Sequence, residues 1–152
     1  MKDYKIIEIN DSNLAILQKL IDESIDEGHV LGKKLLDEWK EGNTFSKKGE
    51  KFWALTIDDE PIAMGGINKD PYTDDETVAR VRHIFVTKSY RRQGLATVLL
   101  KMILAEAKKN FRSIRLSTKN IIAGKMYESF GFVPIQKEGD RVTYQIADLS
   151  NI

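Results

Sequence analysis

Apolar residues recur along this chain at two periods, three-to-four and two, and the switches between them mark out helices and strands. Residues 4–9 read as a first short strand. Over residues 11–26, Leu14, Leu17, Ile21 and Ile25 recur at threes and fours with Leu20 beside them, which predicts an amphipathic helix. Asp11, Ser12 or Asn13 suits its start and Gly28 its stop. A second helix is predicted over 30–39, closed by Gly42 and Asn43. Phe52, Trp53, Leu55 and Ile57 make 51–57 a strand, Asp58-Asp59-Glu60-Pro61 turns the chain, and 62–67 returns as the hairpin partner. A polar loop at 70–76 leads to a strand at 78–86. A helix follows at 93–109, a short strand at 114–117, a helix at 121–130, and two last strands at 132–136 and 142–149. The order β-α-α-β-β-β-α-β-α-β-β predicts an α/β (α+β) fold. Its mixed sheet is mostly antiparallel, with a central β-α-β crossover and helices on both faces.

Composition narrows the class. A length of 152 residues suits a single domain spanning 1–152, with no linker-like or repetitive stretch to divide it. Lys plus Arg number 24 against 23 Asp plus Glu, so whole-chain attraction to nucleic acid or to an anionic membrane is not expected. The absence of cysteine excludes disulfide scaffolds, thiolate metal sites and a Cys acyl-enzyme. The two histidines, His29 and His83, are far apart in sequence, and no metal site is expected. The N-terminal stretch is charged and carries no long apolar run, so neither a signal peptide nor a membrane span is read there, and cytoplasmic residence is expected.

Candidate chemistry begins at Arg91-Arg92-Gln93-Gly94-Leu95-Ala96, between a strand and a long helix. A glycine here lets backbone approach a ligand closely. The amides of the helix N-terminus lack intrahelical partners and lie at the positive end of the dipole, a combination that binds phosphate. From Leu95 to Ala105 only Thr97 and Lys101 are polar, so the helix is largely buried. Taken alone the motif is short and common by chance, and the favoured reading of it is then a basic turn capping a core helix. The Gly-x-Gly-x-x-Gly of a dinucleotide fold and the Gly-Lys-Ser/Thr of a P-loop are both absent.

Downstream, Asn120 can cap the next helix, and Tyr127 lies two turns on with the small Ala123 between. Gly131 suits the helix end before Phe132. Together these motifs resemble those of the GNAT superfamily of acyl-CoA-dependent N-acyltransferases. Arg91-Arg92-Gln93-Gly94-Leu95-Ala96 is similar to its Arg/Gln-x-x-Gly-x-Gly/Ala signature. The run from Asn120 to Phe132 is similar to Asn-x-x-Ala-x-x-x-Tyr-x-x-x-Gly-Phe.

The resemblance implies an acetyl-CoA-dependent N-acetyltransferase acting by direct attack of a primary amine. Backbone groups of Ile84, Phe85 and Val86 would bind the pantetheine arm. Amides of Arg92, Gln93, Gly94, Leu95, Ala96 and Thr97 would hold the pyrophosphate, with Arg91 and Arg92 adding charge. Asn120 would contact or orient the arm, and Tyr127 would sit near the thioester sulfur. The strands flanking the loop and helix would splay to admit the cofactor. A homodimer is compatible with the resemblance. One departure is clear. Many members carry a Glu on the strand before the loop as general base, but here that neighbourhood reads Arg80-Val81-Arg82-His83, and after Ile114 it reads Arg115-Leu116-Ser117-Thr118.

Transfer to an amine with a pKa of about 10.4 needs a base, and the leaving thiolate benefits from a proton donor. Tyr127 suits the donor role as general acid. His83 is a candidate base, with a half-buried strand residue as the competing reading. Asp74, Asp75 and Glu76 could act through water. Arg80, Arg82, Lys88, Arg91 and Arg92 read either as phosphate capture or as ordinary surface charge. Asp22, Glu23, Asp26 and Glu27 read either as a lure for a cationic acceptor or as the wet face of a helix. Trp39 and Trp53 read as core or groove-lining residues. A non-catalytic acyl-CoA-binding module on the same fold is the alternative function, nucleic-acid binding a remote third, and no motif identifies the acceptor.

Overall fold

In the computed structural model, which describes residues 3–152, the chain forms β1 (Lys5–Glu8), α1 (Gln18–Asp26), α2 (Leu31–Lys40), β2 (Lys51–Ile57) and β3 (Glu60–Lys69). Then follow β4 (Val78–Val86), α3 (Leu95–Asn110), β5 (Ser113–Thr118), α4 (Ile121–Ser129), β6 (Val133–Glu138) and β7 (Arg141–Ile146). Met1 and Lys2, the start of the expected 1–152 domain, lie outside the described residues. One sheet takes the order β1-β2-β3-β4-β5-β7-β6. Every neighbouring pair is antiparallel except β4 and β5, which are parallel and joined through α3. This is the expected mixed sheet and crossover. No helix among the described residues is long and apolar enough to cross a membrane.

Side-chain alternation makes β2 a divider between two cores. Trp53, Leu55 and Ile57 join the core under α3, while Phe52 and Ala54 join the core beneath α1 and α2. Both faces are covered, which explains why the strand reads as nearly continuous apolar sequence. The α3 core takes Leu95, Leu99, Leu100, Ile103, Leu104 and Ala107 from the helix. The other core takes Leu17, Leu20, Ile21, Leu35 and Trp39. Both tryptophans are therefore buried core residues, and Trp39 donates its indole N–H to Asp11 at 2.8 Å.

Local signals acted as the residue types predict. Asp58 and Asp59, both at positive φ, make the tight turn between β2 and β3. At the end of α1, Gly28 (φ +84°) and His29 bond back to Ile25 and Ser24, the paired return bonds of a Schellman end. The start of α1 differs from expectation. Residues Leu14–Leu17 form a separate 3-10 turn, and none of the three candidate caps closes it. Asn10 and Asn13 instead bond to neighbouring backbone, Asn10 to Ser12 and Asn13 to Asn10 and Glu8. Such local bonds compete with helix formation. The helix expected from residue 93 begins at Leu95, because Arg92 (φ +63°) and Gly94 (φ +82°) hold left-handed conformations that a right-handed helix excludes.

A bulge in β4 has the largest consequence for the site. Gly66 pairs with Arg82, but Met64 pairs with Phe85, so β4 carries one extra residue. His83 takes the strained position at φ +56°. Before the bulge Ala79 and Val81 enter the α3 core. After it the parity flips, with Phe85 in the other core and Ile84 and Val86 packed against the α3 side. Opposite the bulge stands Gly65, where a Cβ would meet Ile84 at 3.0 Å.

Candidate active site

Strands β4 and β5 pair only over Val78–Arg80 and Ser113–Arg115. Beyond Arg80 they part, and the second half of β4 has no strand partner on that side. A cavity of about 1330 Å³ occupies the opening. Its wall includes His83, Ile84, Phe85 and Val86 from β4, Arg91, Arg92, Gly94, Leu95, Ala96 and Thr97 from the loop and α3, and Asn120 and Tyr127 at α4. The structure thus brings together sequence-predicted residues more than thirty positions apart. Gln93 is not part of the wall. Its side chain turns back toward the Ser89 carbonyl.

The loop has the backbone of an anion cradle. Arg92 and Gly94 hold positive φ with Gln93 between them outside that region, an alternation of the kind that can turn successive amides toward an anion, and it leads directly into the first amides of α3. An added Cβ at Gly94 would meet nothing within 4 Å, so the space before this turn is open. Helix α1 clamps the loop. Glu23 accepts bonds from Thr87 Oγ1 (2.6 Å) and Lys88 N (2.9 Å), and Glu27 accepts one from Arg91 Nη2 (2.6 Å). The Arg91 hydrogen bond holds the Glu27 carboxyl below its ordinary range. Two of the four acids at the end of α1, Glu23 within it and Glu27 just after it, therefore bond to the loop.

The basic cluster is less free than its sequence suggests. Arg80 pairs with buried Asp70 at 3.4 Å, Arg82 with Glu38 at 2.6 Å, and Arg91 with Glu27. Arg92 makes no ion pair among the described residues. Asp74, Asp75 and Glu76 lie off the cavity wall, and Asp75 is occupied by the Thr77 N–H and hydroxyl.

Asn120 caps α4, its Oδ1 accepting from Ile122 N (2.9 Å) and Ala123 N (3.2 Å). Tyr127, on the next turns, packs on the α3 side of the sheet, with ring centroids 5.9 Å from Phe132 and 6.4 Å from Tyr144. Burial pushes its phenol up to about 12, so it stays protonated at any working pH. Gly124 lets this helix settle on the sheet, since a Cβ there would stand 2.4 Å from the Tyr144 hydroxyl.

Across the sheet lies a group that sequence reading missed. The bulge turns the adjacent side chains of Arg82 and His83 toward the same residue, Glu38 of α2. Arg82 Nη2 reaches both carboxylate oxygens at 2.6 Å, and His83 Nε2 lies 3.0 Å from Oε1. Burial alone would raise the Glu38 carboxyl, but the hydrogen bonds from His83 and Arg82 outweigh it and bring it down to about 2. Burial lowers the His83 imidazole, outweighing its bond to Glu38, with Arg82 lowering it further. Near neutrality His83 is uncharged, and Arg82 is the cation that holds Glu38 ionised. His83 Nε2 also lies 3.3 Å from Arg82 Nη2, and the closer contact to an anionic Glu38 favours the tautomer with the proton on Nε2, which leaves the Nδ1 lone pair free. Nδ1 has no hydrogen-bond partner among the described residues, and His83 is part of the cavity wall. In sequence, Glu38 is one more acid on an amphipathic helix, and nothing in its neighbours announces the pairing.

The pKa of Glu38 gives a stability prediction. Its folded value lies below the unfolded value near 4.5, so the stabilisation is fully present above pH 4.5 and is lost as pH falls through 2. Urea unfolding of wild type and Glu38→Gln should therefore differ most at neutral pH, with the gap narrowing toward pH 3. Parallel stability curves across that range would contradict the pairing.

Comparisons with known proteins agree with this geometry. The Acetyltransferase (GNAT) family profile matches residues 15–132. The chain belongs to the GNAT acetyltransferase family. A human protein, N-acetyltransferase 8, is 31% identical over 91 residues, which are 57% of this chain and 40% of the relative. The chain thus spans well under half the length of that relative. A candidate acetyltransferase from Exiguobacterium sp. 255-15 has a crystal structure with a TM-score of 0.81 and 25% identity, over 96% of this chain and 94% of that one. An acetyltransferase from Streptococcus agalactiae 2603 superposes with a TM-score of 0.75 at 20% identity, over 97% and 99% of the two chains. At that identity the likeness is one of fold. GNAT membership implies acyl transfer from a CoA thioester to an acceptor.

Proposed function

We propose that this GNAT domain, covering the whole chain, is an N-acetyltransferase that moves an acetyl group from acetyl-CoA to a primary amine by direct attack. The observation that carries the proposal is the parting of β4 and β5 beside the Arg92–Gly94 amides. It leaves a strand edge for an extended arm to follow and an anion cradle at its end. Backbone of Ile84, Phe85 and Val86 supplies that edge. The amides at the start of α3, with Arg92, hold the pyrophosphate, and Asn120 shapes the mouth through its cap of α4.

The opening joins the two faces of the sheet, with Tyr127 on one side and His83 on the other. His83 accepts the amine proton at Nδ1, while Glu38 fixes its tautomer from the far side through Nε2. The amine nitrogen forms the new bond to the carbonyl carbon, and the sulfur leaves with its electron pair. Tyr127 is placed to donate to that sulfur as the general acid. A thiol near 8.5 is the stronger acid by more than three units against a phenol at about 12, so complete transfer from Tyr127 is uphill. The hydroxyl therefore works chiefly by hydrogen bonding to the developing negative charge.

Thermal unfolding in the presence of ligands tests the cofactor. Acetyl-CoA and CoA should raise the melting temperature by mass action, by about 2.7 kcal/mol of stabilisation at a hundredfold excess over Kd. NAD and ATP should raise it far less. Equal shifts with all four would reduce the loop to a generic phosphate site and remove the basis for an acetyl-CoA enzyme. A cytoplasmic setting fits this chemistry, since CoA thioesters are metabolites of that compartment.

A further inference from the structure

The cavity wall is strongly unbalanced in charge away from the anion cradle as well as at it. Eight Lys and Arg side chains line the wall with two carboxylates, Asp70 and Glu138, and of the eight Arg80, Arg82 and Arg91 are paired with Asp70, Glu38 and Glu27. Some of these cations border the cradle at the loop. Arg80, Arg115 and Arg141 do not. Arg80 and Arg115 stand where β4 and β5 are still paired, six residues up β4 from Val86, or roughly 20 Å along an extended strand, and Arg141 reaches toward them from the start of β7 to Ser117. Arg80 and Arg115 are register partners across β4 and β5. Ile114, Leu116 and Tyr144 point into the α3 core, so alternation sends Arg115 and Ser117 of β5, and Arg141 and Thr143 of β7, to the opposite face. That is the face on which His83 meets Glu38.

The hydrogen bonding there is unfinished in a specific way. Ser117 Oγ accepts from Arg80 Nη2 at 3.2 Å and from Arg141 Nη1 at 3.1 Å. Both lone pairs of the hydroxyl are thus used, and it has only its proton to offer. Arg80 is balanced by buried Asp70. Arg115 donates to neutral Gln145 at 2.7 Å, and neither Arg115 nor Arg141 forms an ion pair among the described residues. Nearby acids do not fill the gap. Glu138, the cross-strand neighbour of Arg141, accepts from Gln136, and Asp75, which feels Arg115 electrostatically, is held by Thr77. A hydroxyl proton and two guanidinium groups without an ion pair among the described residues thus share one face of the cavity wall.

We propose that this patch is an acceptor subsite for a carboxylate, and that the acceptor is an amine bearing a carboxylate, of the amino-acid class. The inference rests on the acetyl-transfer reading for its amine. The subsite itself rests on the three arginines and Ser117. Arginine binds carboxylate bidentately, which orients as well as attracts. The same wall repels polyamines and other multiply cationic acceptors, because a second positive charge would face guanidinium groups in a partly desolvated cleft.

Two measurements test this on the intact chain. The first is CoA release from acetyl-CoA with L-methionine, L-phenylalanine, L-glutamate and L-lysine, each beside its α-amide, and with spermidine. At least one amino acid should be the best acceptor, with its amide and spermidine at least tenfold poorer in kcat/KM. Arg141→Gln and Arg115→Gln should each raise the KM of that amino acid by about 10–100-fold, the worth of one charge-assisted contact. The kcat and the affinity for acetyl-CoA should be nearly unchanged. Amides or spermidine accepted as well as the acids, or an unchanged KM in both variants, would overturn the subsite. The second measurement is calorimetric binding of the same amino acids to the CoA-saturated protein. Binding without turnover, weakened in Arg141→Gln, would keep the carboxylate subsite while defeating the transferase reading. No binding at millimolar concentration would defeat the subsite on its own.

Discussion

Tyr127→Phe is expected to cut turnover by about 10²–10³-fold while acetyl-CoA binds as in the wild type. The substitution removes one oxygen and leaves the ring against Phe132 and Tyr144, so packing is conserved. No hydrogen bond of the Tyr127 hydroxyl within the described residues is lost with it. A general acid contributes about 10²–10⁴-fold and a single preorganised donor about 10²–10³-fold. The phenol at about 12 places Tyr127 in the second range. Steady-state kcat with a good acceptor, alongside an acetyl-CoA titration, separates the cases. Lost binding with intact turnover at saturation would make the hydroxyl a cofactor anchor. Unchanged turnover would remove Tyr127 from the chemistry altogether.

Gly94→Val is expected to lower acetyl-CoA affinity by more than tenfold in a protein that still folds. The added side chain would clash with no protein atom, since the space beside Gly94 is open. Its cost comes from the backbone. At φ +82° a β-branched residue is strained by roughly 1–2 kcal/mol, and relief of that strain rotates the amides that make the cradle. The side chain would also stand where the cradle must admit an anion. Gly94→Ala should fall between wild type and valine, because alanine shares the φ penalty but is not branched. Circular dichroism confirms the fold, and calorimetry with acetyl-CoA reads the affinity. Wild-type affinity in folded Gly94→Val would move the cofactor away from this loop.

Elements that rest on local chemistry were legible along the chain. The 78–86 strand emerged with the expected bounds. Gly28, Gly42 and Gly131 close helices at positive φ, and Asn120 caps α4 through its own side chain. Each of these depends on residues a few positions apart. The start of α1 was misread because Asn10 and Asn13 satisfy nearby backbone in a way that residue types alone do not rank against capping.

The site was legible only in part. The loop and the Asn120–Tyr127 frame, which the cavity brings together, could be singled out because a glycine turn and a helical spacing are local signals. The basic residues could not be sorted into free and engaged. Arg82 and Arg91 are neutralised by Glu38 and Glu27, more than forty and sixty residues away. Arg115 and Arg141 form no ion pair among the described residues, yet in sequence all four look alike.

By itself, then, the sequence determined the element order, the covered faces of the central strands and the glycine turn before α3, which follow from periodicity and from the intrinsic preferences of single residues. The family was legible through the resemblance of its two motifs, Arg91–Ala96 and Asn120–Phe132. Tertiary structure decided three further matters. One extra residue in β4, accommodated opposite Gly65, turns Arg82 and His83 onto Glu38 together, against the alternation that a regular strand imposes. Loss of pairing beyond Arg80 and Arg115 opens the cavity. The register of β4, β5 and β7 gathers Arg80, Ser117 and Arg141 at one point. The physical reason is the same in each case. Strand pairing is a contact between segments remote in sequence, and its register fixes where a side chain points only once the partner strand is in place.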